Sequence, residues 1–217
     1  MNYVFLGIFI VVSILHLYAS FKRNQAFRNS TKGMIILSLL AFYATSTINY
    51  SYLIVFALVF YIAGDLLLIP KNKYCLYSGG ICFLTANVLF IIEFFKRANN
   101  QISNVLLMSI IGSIYLFFII FVIFIVKGSV KKNMIIFMFG YLLFNAILNF
   151  FAWNLFLTDY SLYHLLIGIG AFSFFVSDSI LYSVRFNKKT VFKSHFLVML
   201  TYVVGQFLIV FGLIAKL

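Results

Sequence analysis

Acid is nearly absent from this chain: four Asp and Glu stand against sixteen Lys and Arg among 217 residues. Charge of either sign amounts to only 9% of the sequence, where a soluble domain carries about 25%. Too little polar surface is therefore available to cover a water-soluble globule, which excludes a soluble enzyme and a disordered chain. Two cysteines, Cys75 and Cys82, are too few for a disulfide framework and lack metal-ligand spacing, so they read as filler in an apolar segment. The single proline, Pro70, removes most chances of a kinked helix. Period-two alternation is missing as well, which argues against a β-barrel.

What is present is hydrophobic: 65% of residues, with a mean hydropathy of +1.12. Cutting at the charge clusters and at Pro70 leaves eight apolar segments, roughly 3–20, 34–48, 52–69, 75–95, 103–126, 134–157, 162–184 and 195–215. Most reach the ~20 residues that a ~30 Å hydrocarbon core requires; the second is short. The expected fold is all-α: one polytopic membrane bundle of eight transmembrane helices, occupying residues 1–217 as a single domain.

The basic residues set the orientation. Thirteen of the sixteen fall in the first, third, fifth and seventh loops, among them Lys22, Arg23, Arg28, Lys32, Lys71, Lys73, Lys127, Lys131, Lys132, Arg185, Lys188, Lys189 and Lys193. Only Lys96, Arg97 and Lys216 fall elsewhere. By the positive-inside rule the odd loops face the cytoplasm and both termini lie outside it. The excess charge is thus a topology signal that also attracts anionic lipid, and no basic soluble domain exists to bind nucleic acid. Met1–Ser20 has its cations after the apolar run, the reverse of a signal peptide, and is read as a retained first helix.

Each acid can be weighed singly. Asp159 falls in a short outer loop, and Glu93 has Lys96 and Arg97 at i+3 and i+4 as local partners. Asp65 and Asp178 have no cation nearby in sequence, and an ionisable group within a span marks a functional site facing the bundle interior. Asp65 is six residues before Lys71 and Asp178 seven before Arg185, so both lie about 9–10 Å inside the cytoplasmic helix ends. Tyr141 and Tyr202 reach similar depths, roughly 12–14 Å, and Tyr141, Asn145 and Asn149 form a polar i, i+4, i+8 stripe. Two carboxyls in such a pocket divide the work of general acid and general base. The three histidines, His16, His164 and His195, give no metal-ligand spacing, and no nucleophile elbow, phosphate loop or zincin motif occurs.

Three motifs then stand in order along the chain. They are Gly64-Asp65-Leu66-Leu67-Leu68, the run Gly170-Ala171-Phe172 to Ser177-Asp178-Ser179-Ile180-Leu181 with Arg185-Phe186, and Tyr202-Val203-Val204-Gly205-Gln206. Together they resemble the YhhN-like lysoplasmalogenase family of multi-pass membrane proteins. The resemblance implies an enzyme of the cell membrane that hydrolyses the vinyl ether of a lysoplasmalogen to a fatty aldehyde and a glycerophospho-base. It implies no cofactor and no obligate protein partner; the partners are the lysophospholipid substrate and membrane lipid. The family's paired aspartates map onto Asp65 and Asp178, which leaves open which is acid and which base. Lys32, Tyr141, Asn145, Tyr202 and Gln206 are the candidates to bind substrate or orient water, with Lys32 near the phosphate. The chain departs from the family pattern at Lys32-Gly33, where the family has Lys-Pro, and at Asn87 and Phe90, where it has His and Tyr. The rival reading is a proton-coupled transporter using the same aspartates, whose contexts recur four helices apart as in a parallel repeat.

Overall fold

A computed structural model describes residues 3–70, 72–186 and 195–214. Lys71, Lys188, Lys189, Lys193 and Lys216, which contribute to the charge pattern above, lie outside the described residues. The described chain is all-helical: α1 (Tyr3–Phe21), α2 (Gln25–Ser46), α3 (Tyr52–Leu67), α4 (Lys73–Arg97), α5 (Val105–Val126), α6 (Lys132–Thr158), α7 (Leu162–Phe186) and α8 (His195–Ile214). One 3-10 turn, Lys127–Ser129, follows α5.

Six of the helices, α1 and α4 to α8, are long and apolar enough to cross a membrane, which makes this a multi-pass membrane protein. The sixteen residues of α3 are apolar but shorter. The second helix corrects the expected boundary. It begins at Gln25, well before residue 34, because Asn24 caps it by accepting the Phe27 N–H at 3.2 Å. Arg28 and Lys32, expected in a loop, therefore occupy its first two turns and point from a rigid element. Pro70 acts as expected: α3 stops at Leu67, with Leu68 as its cap, just short of the proline.

The helices form a ring rather than a compact stack of eight. Contacts run α1–α2–α3–α4–α6–α7–α8 and back to α1, while α5 packs outside this ring against α6 and α7. Because lipid is as apolar as leucine, close backbone approach rather than hydrophobic burial draws such helices together. Two glycine pairs provide it. A Cβ on Gly170 would stand 2.8 Å from the Gly205 carbonyl oxygen, and one on Gly205 would stand 2.8 Å from that of Gly170. The same reciprocity joins Gly64 of α3 to Gly79 of α4, at 3.2 Å each way. These contacts lie one residue before Asp65 and two turns before Asp178, so both acids are carried by the most tightly apposed pairs of helices.

Candidate functional site

Inside one end of the ring lies a cavity of about 490 Å³. Its walls come from the C-terminal parts of α1, α3 and α7 and the N-terminal parts of α2, α4, α6 and α8, so it sits at the end that carries the basic loops. Asp65 and Asp178 both line it, at 2% and 6% exposure. The two aspartates singled out by the sequence, 113 positions apart, thus share one chamber.

Their surroundings differ. Asp65 is an ion pair: Lys32 Nζ stands 3.2 Å from Oδ1, and the Tyr202 hydroxyl donates to Oδ2 at 2.7 Å. Asp178 is held by neutral donors only. Tyr141 Oη and Asn145 Nδ2 both donate to Oδ2 at 2.7 Å, which leaves Oδ1 without a donor among the described residues. Six of the seven expected site residues thus come together at the aspartates: Asp65, Asp178, Lys32, Tyr141, Asn145 and Tyr202. Lys32 meets a carboxylate here, a partner its sequence neighbourhood did not offer.

Gln206 stands apart. It is fully buried beside Tyr61, and neither its amide nitrogen nor its oxygen makes a hydrogen bond of good geometry among the described residues. Tyr61 donates instead to Asn87 Oδ1 at 2.6 Å and packs on Phe90, ring centroids 5.7 Å apart. The two fourth-helix departures from the family pattern therefore meet at one buried tyrosine. Phe83 and Phe174 complete this aromatic layer, each with its ring centroid 5.5 Å from that of Tyr61, and Phe174 also contacts Tyr202.

Behind Asp178 a chain of hydrogen bonds runs out to α5. Trp153 Nε1 donates to Tyr115 Oη at 3.2 Å, Tyr115 donates to Asn149 Oδ1 at 2.9 Å, and Asn149 Nδ2 donates to the Asn145 side-chain oxygen Oδ1 at 3.3 Å and to its main-chain carbonyl at 2.9 Å. Every donor points toward the carboxyl, so the bonds polarise one another in one sense and offer a distributed counter-dipole for negative charge on Asp178. The Asn145–Asn149 part of this chain follows from the polar stripe of α6; Tyr115 and Trp153 carry no signal in the sequence.

The sequence also passes over His16. It lines the cavity, fully buried, with Nδ1 2.8 Å from Thr31 Oγ1. This contact ties α1 to the turn of α2 that bears Arg28 and Lys32, and the Thr31 hydroxyl also lies 3.0 Å from the Phe27 carbonyl. Arg28 and Arg185 line the cavity too, although by spacing alone they read as topology charges.

The chain matches the YhhN family over residues 27–213 and belongs to it; this is the lysoplasmalogenase family. No curated protein and no solved structure shows a significant match to the chain.

Proposed function

We propose that this protein hydrolyses the vinyl ether bond of lysoplasmalogens, with Asp178 as general acid and Asp65 as general base. All eight helices cross the cell membrane in this reading, both chain ends are extracytoplasmic, and the cavity opens toward the cytoplasmic leaflet, where the glycerol of a lysolipid resides. The observation that carries it is the unequal pairing of two acids in one chamber. Lys32 balances a charge on Asp65, so Asp65 serves as the carboxylate. Asp178 has no cation bonded to it and keeps Oδ1 free to carry a proton.

The steps balance. Asp178 gives its proton to the vinyl carbon remote from the ether oxygen, leaving an oxocarbenium ion that the Asp65 carboxylate stabilises. Water adds to that cation as Asp65 takes one of its protons. The hemiacetal then collapses: Asp65 returns the proton to the departing glycerol oxygen, and Asp178 recovers one from the hemiacetal hydroxyl. Aldehyde and glycerophospho-base leave, and both acids stand as they began. Between the first and last steps Asp178 is an anion, and the Trp153–Tyr115–Asn149–Asn145 chain aims its donors at that charge.

The test is aldehyde release by purified protein from 1-alkenyl lysolipids with choline, ethanolamine and glycerol headgroups, beside Asp65→Asn and Asp178→Asn. Aldehyde from the wild type and none from either variant is the expected result. A well-folded wild type that releases none from any headgroup would overturn the reading.

A further inference from the structure

The positive-inside rule explains why Arg28 and Arg185 are basic, but it asks only that they sit near a helix end. Both do more: they line the mouth of the cavity, Arg28 from α2 and Arg185 from α7. Arg28 lies one turn before Lys32, and Arg185 lies seven residues beyond Asp178, about 10 Å along the same helix. Lys32 spends its charge on Asp65, whereas neither arginine forms an ion pair among the described residues. Nor does the sequence hold an acid that could reach them. Of the four, Asp65 and Asp178 are the aspartates of the chamber. Glu93 lies thirteen residues beyond Gly80, the last α4 glycine of the cavity wall, or about 20 Å, and is bonded to Arg97. Asp159 lies before α7, whose first residue, Leu162, is fifteen residues or about 22 Å from Ser177.

Both arginines line one cavity, where an anion between them would meet two like charges that have no acid bonded to them among the described residues. Arg28 is half-buried and Arg185 is exposed, so the pair runs from the cavity wall to its rim. Guanidinium presents a planar fork of donors that fits phosphate oxygens in pairs. Gln25 and Asn29 line the same mouth and add uncharged donors. Leu68, Leu76 and Leu181 add apolar wall to the same cavity.

We infer that the Arg28–Arg185 mouth is a phosphate subsite for a lysophospholipid, and that it reads the charge of the headgroup rather than its base. Asp65 is paired with Lys32, and Asp178 lies about 10 Å along α7 from Arg185, so a choline or ethanolamine ammonium at the mouth finds no free carboxylate beside it. A phosphoglycerol headgroup, whose net charge is negative, keeps the full attraction. The inference rests on the lysolipid reading above for its ligand class, but its test does not require bond cleavage.

The experiment measures binding of saturated 1-alkyl ether lysolipids, which contain no vinyl bond, to the purified protein in uncharged detergent. The probes are alkylglycerol, alkyl-lysophosphocholine and alkyl-lysophosphoglycerol, with inorganic phosphate and glycerol phosphate as soluble competitors. Alkylglycerol is expected to bind at least about tenfold more weakly than either phospholipid, since it forgoes charge-assisted bonds. The phosphoglycerol form is expected to bind a few-fold more tightly than the choline form. Arg28→Gln and Arg185→Gln each shrink both differences, Arg28→Lys restores part of them, and Lys131→Gln, outside the cavity, changes neither.

Equal binding of alkylglycerol and the phospholipids, or unchanged rankings in both arginine variants, would overturn the subsite. Displacement of lipid by millimolar inorganic phosphate with no gain from the alkyl chain would overturn the lipid as its ligand. The subsite and the hydrolase fail separately: phosphate-dependent binding without aldehyde release removes only the chemistry, and aldehyde release with headgroup-blind binding removes only the subsite.

Discussion

Glu93 and Asp65 are both acids on apolar helices, both nearly buried, and both bonded to a cation, yet their partners come from opposite directions. Glu93 takes Arg97 at i+4 on its own helix, at 2.7 Å, and a second bond from the Ser51 hydroxyl at 2.7 Å. That corner is almost self-sufficient: a single turn of α4 pairs the charge before any tertiary contact forms. Asp65 takes Lys32 from another helix and Tyr202 from α8, 137 positions away. Its charge is met only when the ring closes. One end of the bundle is thus wired mostly locally, while the other depends on the whole assembly. A group whose neutralisation is delegated to other elements is a group those elements can also release to do work.

The largest expected effect separates the two ends cleanly. Asp178→Asn keeps an amide oxygen for Tyr141 and Asn145 but has no acidic proton, so aldehyde release falls at least about 10²-fold while the melting temperature barely moves. Asp65→Asn also abolishes most activity and in addition leaves Lys32 without its carboxylate, costing about 1–3 kcal/mol in a chemical or thermal unfolding series. Pairing it with Lys32→Met recovers stability but no activity, which tells an energetic role from a chemical one. Gly205→Val drives a side chain into the α7 backbone and opens the helix pair that carries Asp178; a loss of about 1–3 kcal/mol is expected, read as a lower melting temperature. Tyr202→Phe removes one donor from Asp65 and costs about 1 kcal/mol with a partial loss of activity. Least affected is Glu93→Gln at the opposite end, with a stability change of about 1 kcal/mol or less and unchanged aldehyde release. A strong activity loss from that variant would dissolve the contrast between the two ends.

Much of this could be read from residues alone, and the reasons are physical. Segment lengths follow from hydrophobic runs, and four acids in 217 residues force attention to each one. The stripe Tyr141, Asn145, Asn149 declares a polar face because helical periodicity is local. The ring is not local. That α5 stands outside it, leaving α4 to meet α6, has no signature in hydropathy, since α5 is among the most apolar of the helices. The Lys32–Asp65 pair depends on α2 starting at Gln25, which an Asn cap decides and a hydropathy cut cannot see. Arg28 and Arg185 illustrate a different blindness: one charge can satisfy an orientation rule and line a cavity at once, and spacing reports only the first.

The hydrogen-bond chain behind Asp178 ends on Trp153, the single tryptophan of the sequence. All indole emission from this protein therefore comes from one ring, and the N–H of that ring is the first donor in a line that terminates at the acid. When Asp178 gains or loses charge, the polarisation of the line changes and with it the electric field along the indole. The molecule carries its own optical probe of the chamber that holds Asp178, placed at the α5–α6 contact and in need of no label.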